Sequence, residues 1–129
     1  MNLPDARLFH NRYVVAQPFP HMVFKDDFFG FPLKYFRETE FIDWLQTLTG
    51  YRNLKYRKGS KKKIDVLFCL GDGDLELRHL RKKAHVKKAH SYIGTLIIFD
   101  TSLPHVLKCS SKTHRKSYYQ ERVVNEAIR

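Results

Sequence analysis

Acidic residues are scarce in this chain: 13 aspartates and glutamates stand against 24 lysines and arginines, a formal charge of +11 over 129 residues. Only two cysteines occur, Cys69 and Cys109, far apart in sequence. That spacing excludes both a disulfide framework and a zinc knuckle, and both read as reduced thiols. No apolar run approaches the roughly 20 residues needed to span a bilayer. The start, Met-Asn-Leu-Pro-Asp-Ala-Arg, lacks the charged and then apolar pattern of a signal peptide, so a cytoplasmic or nuclear location is expected. No glycine-rich phosphate loop and no Ser/His/Asp nucleophile motif is present. Asp72 and Asp74 in a glycine turn fall far short of an EF-hand's ligand count. Nowhere does His-x-Asp or His-x-Glu occur, which removes the commonest short pairing of imidazole and carboxylate for a metal.

What is present is a core. Hydrophobic residues make up 43% and aromatics 14% of the chain, enough for one folded domain over 1–129. Residues 1–20 form an entry segment of little periodicity. His21–Lys25 alternates as a strand, and Phe28, Phe29 and Phe31 follow as an aromatic patch assigned, with Trp44, to the core. Phe41, Trp44, Leu45 and Leu48 recur at three and four residues, which predicts a helix over 37–49 with Gly50 as its stop. Beyond it the pattern is β from 64 to 124. The expected strands are 64–70 (buried), 74–78 (alternating), 84–88 (a lysine-protected edge), 94–100, 106–109 and 117–124. The fold class expected is α+β: a helix on a shortened antiparallel jelly roll, or double-stranded β-helix.

Much of the charge lies in two runs, Lys55-Tyr-Arg-Lys-Gly-Ser-Lys-Lys-Lys63 and Arg78-His-Leu-Arg-Lys-Lys-Ala-His-Val-Lys-Lys88. Clustered cations attract phosphate backbones in a strongly salt-dependent way. Lys61, Lys62, Lys63, Lys82, Lys83, Lys87 and Lys88 are therefore candidates for a nucleic acid or an acidic protein. A solvated surface that keeps the protein soluble is the plainer reading of the same residues.

One stretch carries more specific chemistry. Gly94-Thr-Leu-Ile-Ile-Phe-Asp-Thr-Ser-Leu-Pro-His105 delivers a histidine from an apolar strand and turn, and Arg115 and Ser117 follow. An imidazole can hold a metal, and a guanidinium beside a hydroxyl can hold a carboxylate. An inert turn histidine and an exposed basic pair are the alternative. With this stretch, three further pieces resemble the 2-oxoglutarate/Fe(II)-dependent dioxygenases, prolyl-hydroxylase-like branch. They are Pro18–Phe29 (its entry segment), Phe41–Gly50 (its helix ahead of the barrel) and Ile64–Leu77 (the strand–turn–strand after its first metal motif).

The resemblance implies a jelly roll that uses Fe(II) and 2-oxoglutarate to hydroxylate a protein side chain such as proline. It makes His105 an iron ligand, and it sets Arg115, Ser117 and, three positions before Gly59, Tyr56 on the co-substrate. The family holds its iron with two histidines and a carboxylate. Its His-x-Asp should fall between Lys55–Gly59 and Ile64, where only Ser60-Lys-Lys-Lys63 stands. Asp65 is a poor replacement, and His79, His85 and His90 match no standard ligand spacing. Two readings of different class follow: a dioxygenase, or a catalytically degenerate member that serves as a basic binding module for RNA or an acidic partner. A third is an incomplete form with no folded function.

Overall fold

A computed structural model describes residues 2–17, 19–56, 64–70, 73–79, 86–91, 94–100, 105–111 and 118–125. Side chains are described for 2–17, 19–55, 64–70 and 94–100. The fold is mixed α+β, the described residues forming two α-helices and two antiparallel sheets. Among the described residues, no helix is long and apolar enough to cross a membrane.

Helix α1, Ala6–Val15, lies in the segment expected to be irregular. Asp5 caps it by accepting from the Arg7 N–H at 3.1 Å, yet only Ala6 and Tyr13 of the helix are buried. Leu8, Val14 and Val15 face outward, so no amphipathic stripe announces it. Its position is fixed by polar anchors to helix α2, Thr39–Thr49. His10 Nδ1 lies 2.8 Å from the Leu48 carbonyl oxygen, and a carbonyl only accepts, so this nitrogen carries the proton. Just ahead of α1, the Pro4 carbonyl accepts from the Trp44 indole N–H at 2.7 Å.

The expected helix is α2. Phe41, Trp44, Leu45 and Leu48 form its buried stripe, and Gly50 ends it in a left-handed conformation. It starts two residues later than expected because Leu33–Arg37 winds as a separate 3-10 turn. From its last turn, Gln46 Oε1 accepts the Leu54 N–H at 3.0 Å, which starts strand β2, Leu54–Tyr56. That short strand has no sequence periodicity of its own.

The larger sheet has five strands in the order β1-β6-β3-β8-β2. Besides β2 these are β1 (His21–Phe24), β3 (Ile64–Cys69), β6 (Leu96–Asp100) and β8 (Tyr118–Asn125). The smaller sheet has the order β5-β4-β7, with β4 (Gly73–His79), β5 (Val86–Ser91) and β7 (His105–Ser111). Strand β5 is the edge expected near 84–88, displaced toward the C-terminus, and β7 reaches past both ends of 106–109. Every residue of β3 and β6 is buried, which is why they read as continuous apolar runs and not as alternating ones.

The larger sheet buries both faces. On one, Phe24, Ile64, Val66, Phe68, Leu96 and Ile98 meet the helices and the aromatic patch. Phe28 sits at the centre of that patch, its ring 4.9 to 6.3 Å from those of Phe24, Phe31, Phe36, Phe41 and Trp44. On the other face, Phe19, Leu67, Cys69, Ile97 and Phe99 form a second cluster. Phe29 departs from its assigned core place and is 68% exposed. It lies over the Gly94 turn, where φ is +87° and an added Cβ would come 3.1 Å from the Phe29 Cα.

Candidate functional site

Both faces of the larger sheet carry a polar group at the same end. The row Ile64↔Asp100, Ile64↔Val123 and Tyr56↔Val123 lies on the helix side, and one residue further in, Asp65↔Phe99, Asp65↔Arg122 and His21↔Phe99 lie on the second face. Tyr56 therefore shares a row with Asp100, on the face that Leu54 also packs, and not the face of Asp65. Asp65 and His21 are buried on that second face, separated by Phe99. The register sets Arg122 opposite Asp65, an arrangement that favours opposite charges. His21 Nδ1 is 2.8 Å from the Phe19 carbonyl oxygen.

On the helix side, Tyr51 donates its hydroxyl to Asp100 Oδ2 at 2.6 Å. Tyr13 adds a second phenol. Its hydroxyl is buried with no hydrogen-bond partner among the described residues. Burial, then the Asp100 charge, then Tyr51 raise its pKa far above the usual tyrosine value. This Tyr13–Tyr51–Asp100 group escaped sequence reasoning because three loosely spaced positions give no motif. The one available signal was an aspartate closing an apolar strand.

The chain leaves Asp100 and reaches His105 in five steps, so the two Cα atoms lie within about 17 Å of each other. His105 is the first residue of β7 and not a turn residue. Directly opposite it stands His79, the last residue of β4. Alternation along the three strands sorts the smaller sheet into two faces. Leu75, Leu77, His79, Lys87, Ala89, His105, Leu107 and Cys109 share one face, and Asp74, Glu76, Arg78, Lys88, His90 and Lys108 share the other. His90 is thereby separated from the His79–His105 pair.

The remaining expectations fall in three groups. Arg115, Ser117, Lys61, Lys62, Lys63, Lys82, Lys83 and His85 lie outside the described residues. Lys87 and Lys88 sit opposite Leu77 and Glu76, so successive lysines belong to opposite faces of β5 and form no single patch. Among the described residues, no group of three or more His, Cys, Asp or Glu side chains could hold a metal ion. No protein-family model, curated protein or solved structure matches the chain.

Proposed function

We propose that the chain is a jelly-roll domain of the 2-oxoglutarate/Fe(II) dioxygenase type, one strand short. It is catalytically degenerate and serves as a basic module that binds nucleic acid. Strand order supports the fold. β3 pairs with β8 while its successor β4 pairs with β7, and β3 pairs with β6 while β4 pairs with β5. A two-strand arm thus runs through both sheets, as in a jelly roll, whose eight strands share two sheets. β2 flanks the other side of β8, and by the same wrapping its successor would lie against the outer edge of β7.

The observation that carries the functional reading is what stands where that strand is due. β2 and β3 are both antiparallel to β8 and so parallel to each other. They flank β8 in one sheet, and joining two parallel strands takes a crossover of about a dozen residues or more. Seven residues, Arg57-Lys-Gly-Ser-Lys-Lys-Lys63, separate β2 from β3, and none is a histidine or a carboxylate. The donor set for two histidines and a carboxylate does not fit this chain. Three consecutive lysines oppose a cation there and favour a phosphate backbone instead. Hydroxylation of a protein substrate with Fe(II) and 2-oxoglutarate is the reading that this one displaces.

The test is binding of the full chain to single-stranded RNA across a salt series. Each phosphate neutralised contributes about 0.7 to the slope of log K against log salt. Replacing Lys61, Lys62 and Lys63 together by glutamate should therefore flatten that slope by about 2 or more. An unchanged slope would overturn the assignment, and binding to polyglutamate but not RNA would assign an acidic protein instead. A saturable charge-transfer band on anaerobic addition of Fe(II) and 2-oxoglutarate, lost in His105→Ala and weakened in Arg115→Ala, would restore the enzymatic reading.

A further inference from the structure

Among the described side chains Phe29 is the one exposed aromatic, with 68% of its surface open to water. Backbone fit holds it there, not burial. A Cβ added at Gly94 would come 2.9 Å from the Phe29 Cδ2 and 3.1 Å from its Cα, so glycine at that turn is what lets Phe29 close down on it. The Gly94 N–H donates to the Cys69 carbonyl at 2.9 Å, which brings the next residue, Leu70, 43% exposed, to the same end of the sheet. We propose that Phe29, with Leu70 at the same turn, is a stacking platform for an unpaired base, so that the nucleic acid this chain takes is single-stranded. The inference rests on the nucleic-acid reading above and names the class of nucleic acid within it.

Three features favour a base as the occupant. The first is the ring itself: every base has a π-face, so an open aromatic ring binds one without sequence-specific contacts. The second is the charge around it, which is mixed. Lys25 leaves β1 at this end, since Phe24 before it pairs with Leu96, and Asp26 and Asp27 follow at once, all three exposed. Such surroundings draw neither a run of phosphates nor an acidic peptide, which leaves the ring as the recognition element. The third is placement. Lys61–Lys63 adjoin β3 in sequence at Ile64, and Phe29 stands at its Cys69 end, five residues or about 17 Å further on. A cationic stretch for the backbone and an aromatic platform for a base are the two parts that single-strand binding combines. Bases within a duplex stay stacked on one another and cannot reach such a platform.

The test compares binding of the full chain to a mixed-sequence RNA of about 12 nucleotides, alone and annealed to its complement. At about 3.4 Å or more per phosphate, that length reaches both ends of β3. Charge alone favours the duplex, whose phosphates release more counterion each, so a preference for the single strand is a signature of stacking. Phe29→Ala should weaken single-strand binding at least about fivefold, the scale of one lost base–aromatic stack. It should leave duplex binding and the salt slope unchanged, because no charge is removed. Phe29→Tyr should bind as the parent does, and so should Leu8→Ala, which trims an exposed apolar side chain on α1. If Phe29→Ala fails to fold, the Phe29 ring signals of the unaltered chain decide the matter. Upfield shifts with the single strand and none with the duplex sustain the platform. Parental affinity in Phe29→Ala, with the lysine-dependent slope intact, overturns this inference and leaves the nucleic-acid reading standing. A chain that binds no RNA overturns both. Equal losses for RNA and polyglutamate in Phe29→Ala overturn the platform in favour of an acidic protein docked at the same turn.

Discussion

Removing one oxygen atom should make this protein more stable. The Tyr13 ring is 1% exposed, and its hydroxyl has lost water without gaining a hydrogen bond among the described residues. A buried polar group left unsatisfied costs about 1–3 kcal/mol. Tyr13→Phe removes that cost and keeps the ring, while the space left by one oxygen takes back a part. The net expectation is a gain of about 1 kcal/mol, or about 4 °C in unfolding midpoint for a domain of this size. The variant also carries a pH signature. Burial, Asp100 and Tyr51 raise the Tyr13 pKa in the folded chain well above its unfolded value of about 10. The contribution of Tyr13 is therefore fully present below pH 10 and is lost as pH rises beyond it, by about 1.4 kcal/mol per pH unit for one retained proton. Tyr35 adds a smaller effect of the same sign. Burial first and the neighbouring Glu40 next push it up to about 12. Urea unfolding at pH 7, 9, 10 and 11 reads both features. Tyr13→Phe should start higher and fall more gently above pH 10, by one proton's worth of slope. A variant less stable than the parent at pH 7, with the alkaline slope unchanged, would refute the assignment of an unsatisfied phenol.

Gly94→Ala and Gly30→Ala form a matched pair, since both positions have φ near +85° but only Gly94 is crowded, by the Phe29 backbone. Left-handed backbone costs a side chain about 1–2 kcal/mol, so thermal unfolding should show that loss for Gly30→Ala and about 1 kcal/mol more for Gly94→Ala; equal losses would show that Phe29 yields freely. Trp44→Phe removes the 2.7 Å bond to the Pro4 carbonyl along with part of a buried ring. It should cost about 1–3 kcal/mol in urea unfolding and speed amide exchange in residues 2–9, whose entry into α1 that bond fixes.

How far each element could be read from sequence follows from what determines it. α2 is determined by its own stripe, Phe41, Trp44, Leu45 and Leu48, and is therefore visible. α1 is determined by His10 and by the carbonyl that Trp44 holds, contacts that reach 38 and 40 residues along the chain, and no local pattern encodes them. β3 and β6 announce themselves because both faces are buried, whereas β2 depends on its pairing with the distant β8 and on the Gln46 acceptor of α2, neither of which leaves a local pattern. Phe29 looked like core by residue type, yet one position separates it from Phe28 and sends it to the surface. The candidate site divides the same way. His105 could be singled out from the strand and turn that deliver it. Its partner could not, because a register shift of one residue in β4 would exchange His79 for Arg78 or Leu80 and move the side chain to the other face.

The same logic bears on why the basic charge is left over for a partner. A metal centre or an internal salt-bridge network would draw on the few carboxylates, and the two that the core buries already have assigned neighbours. Asp100 accepts the Tyr51 hydroxyl on the helix side, and Asp65 stands opposite Arg122 on the second face. On open surface Asp5 pairs with Arg7 at 3.4 Å, where such pairs contribute about 0–1 kcal/mol. With 24 basic against 13 acidic residues, at least 11 of the cations have no side-chain carboxylate of the chain left to pair with. Part of the excess gathers in sequence beside β2, at Lys55–Lys63. On the reading proposed above, a polyanion is the partner whose charge that run complements.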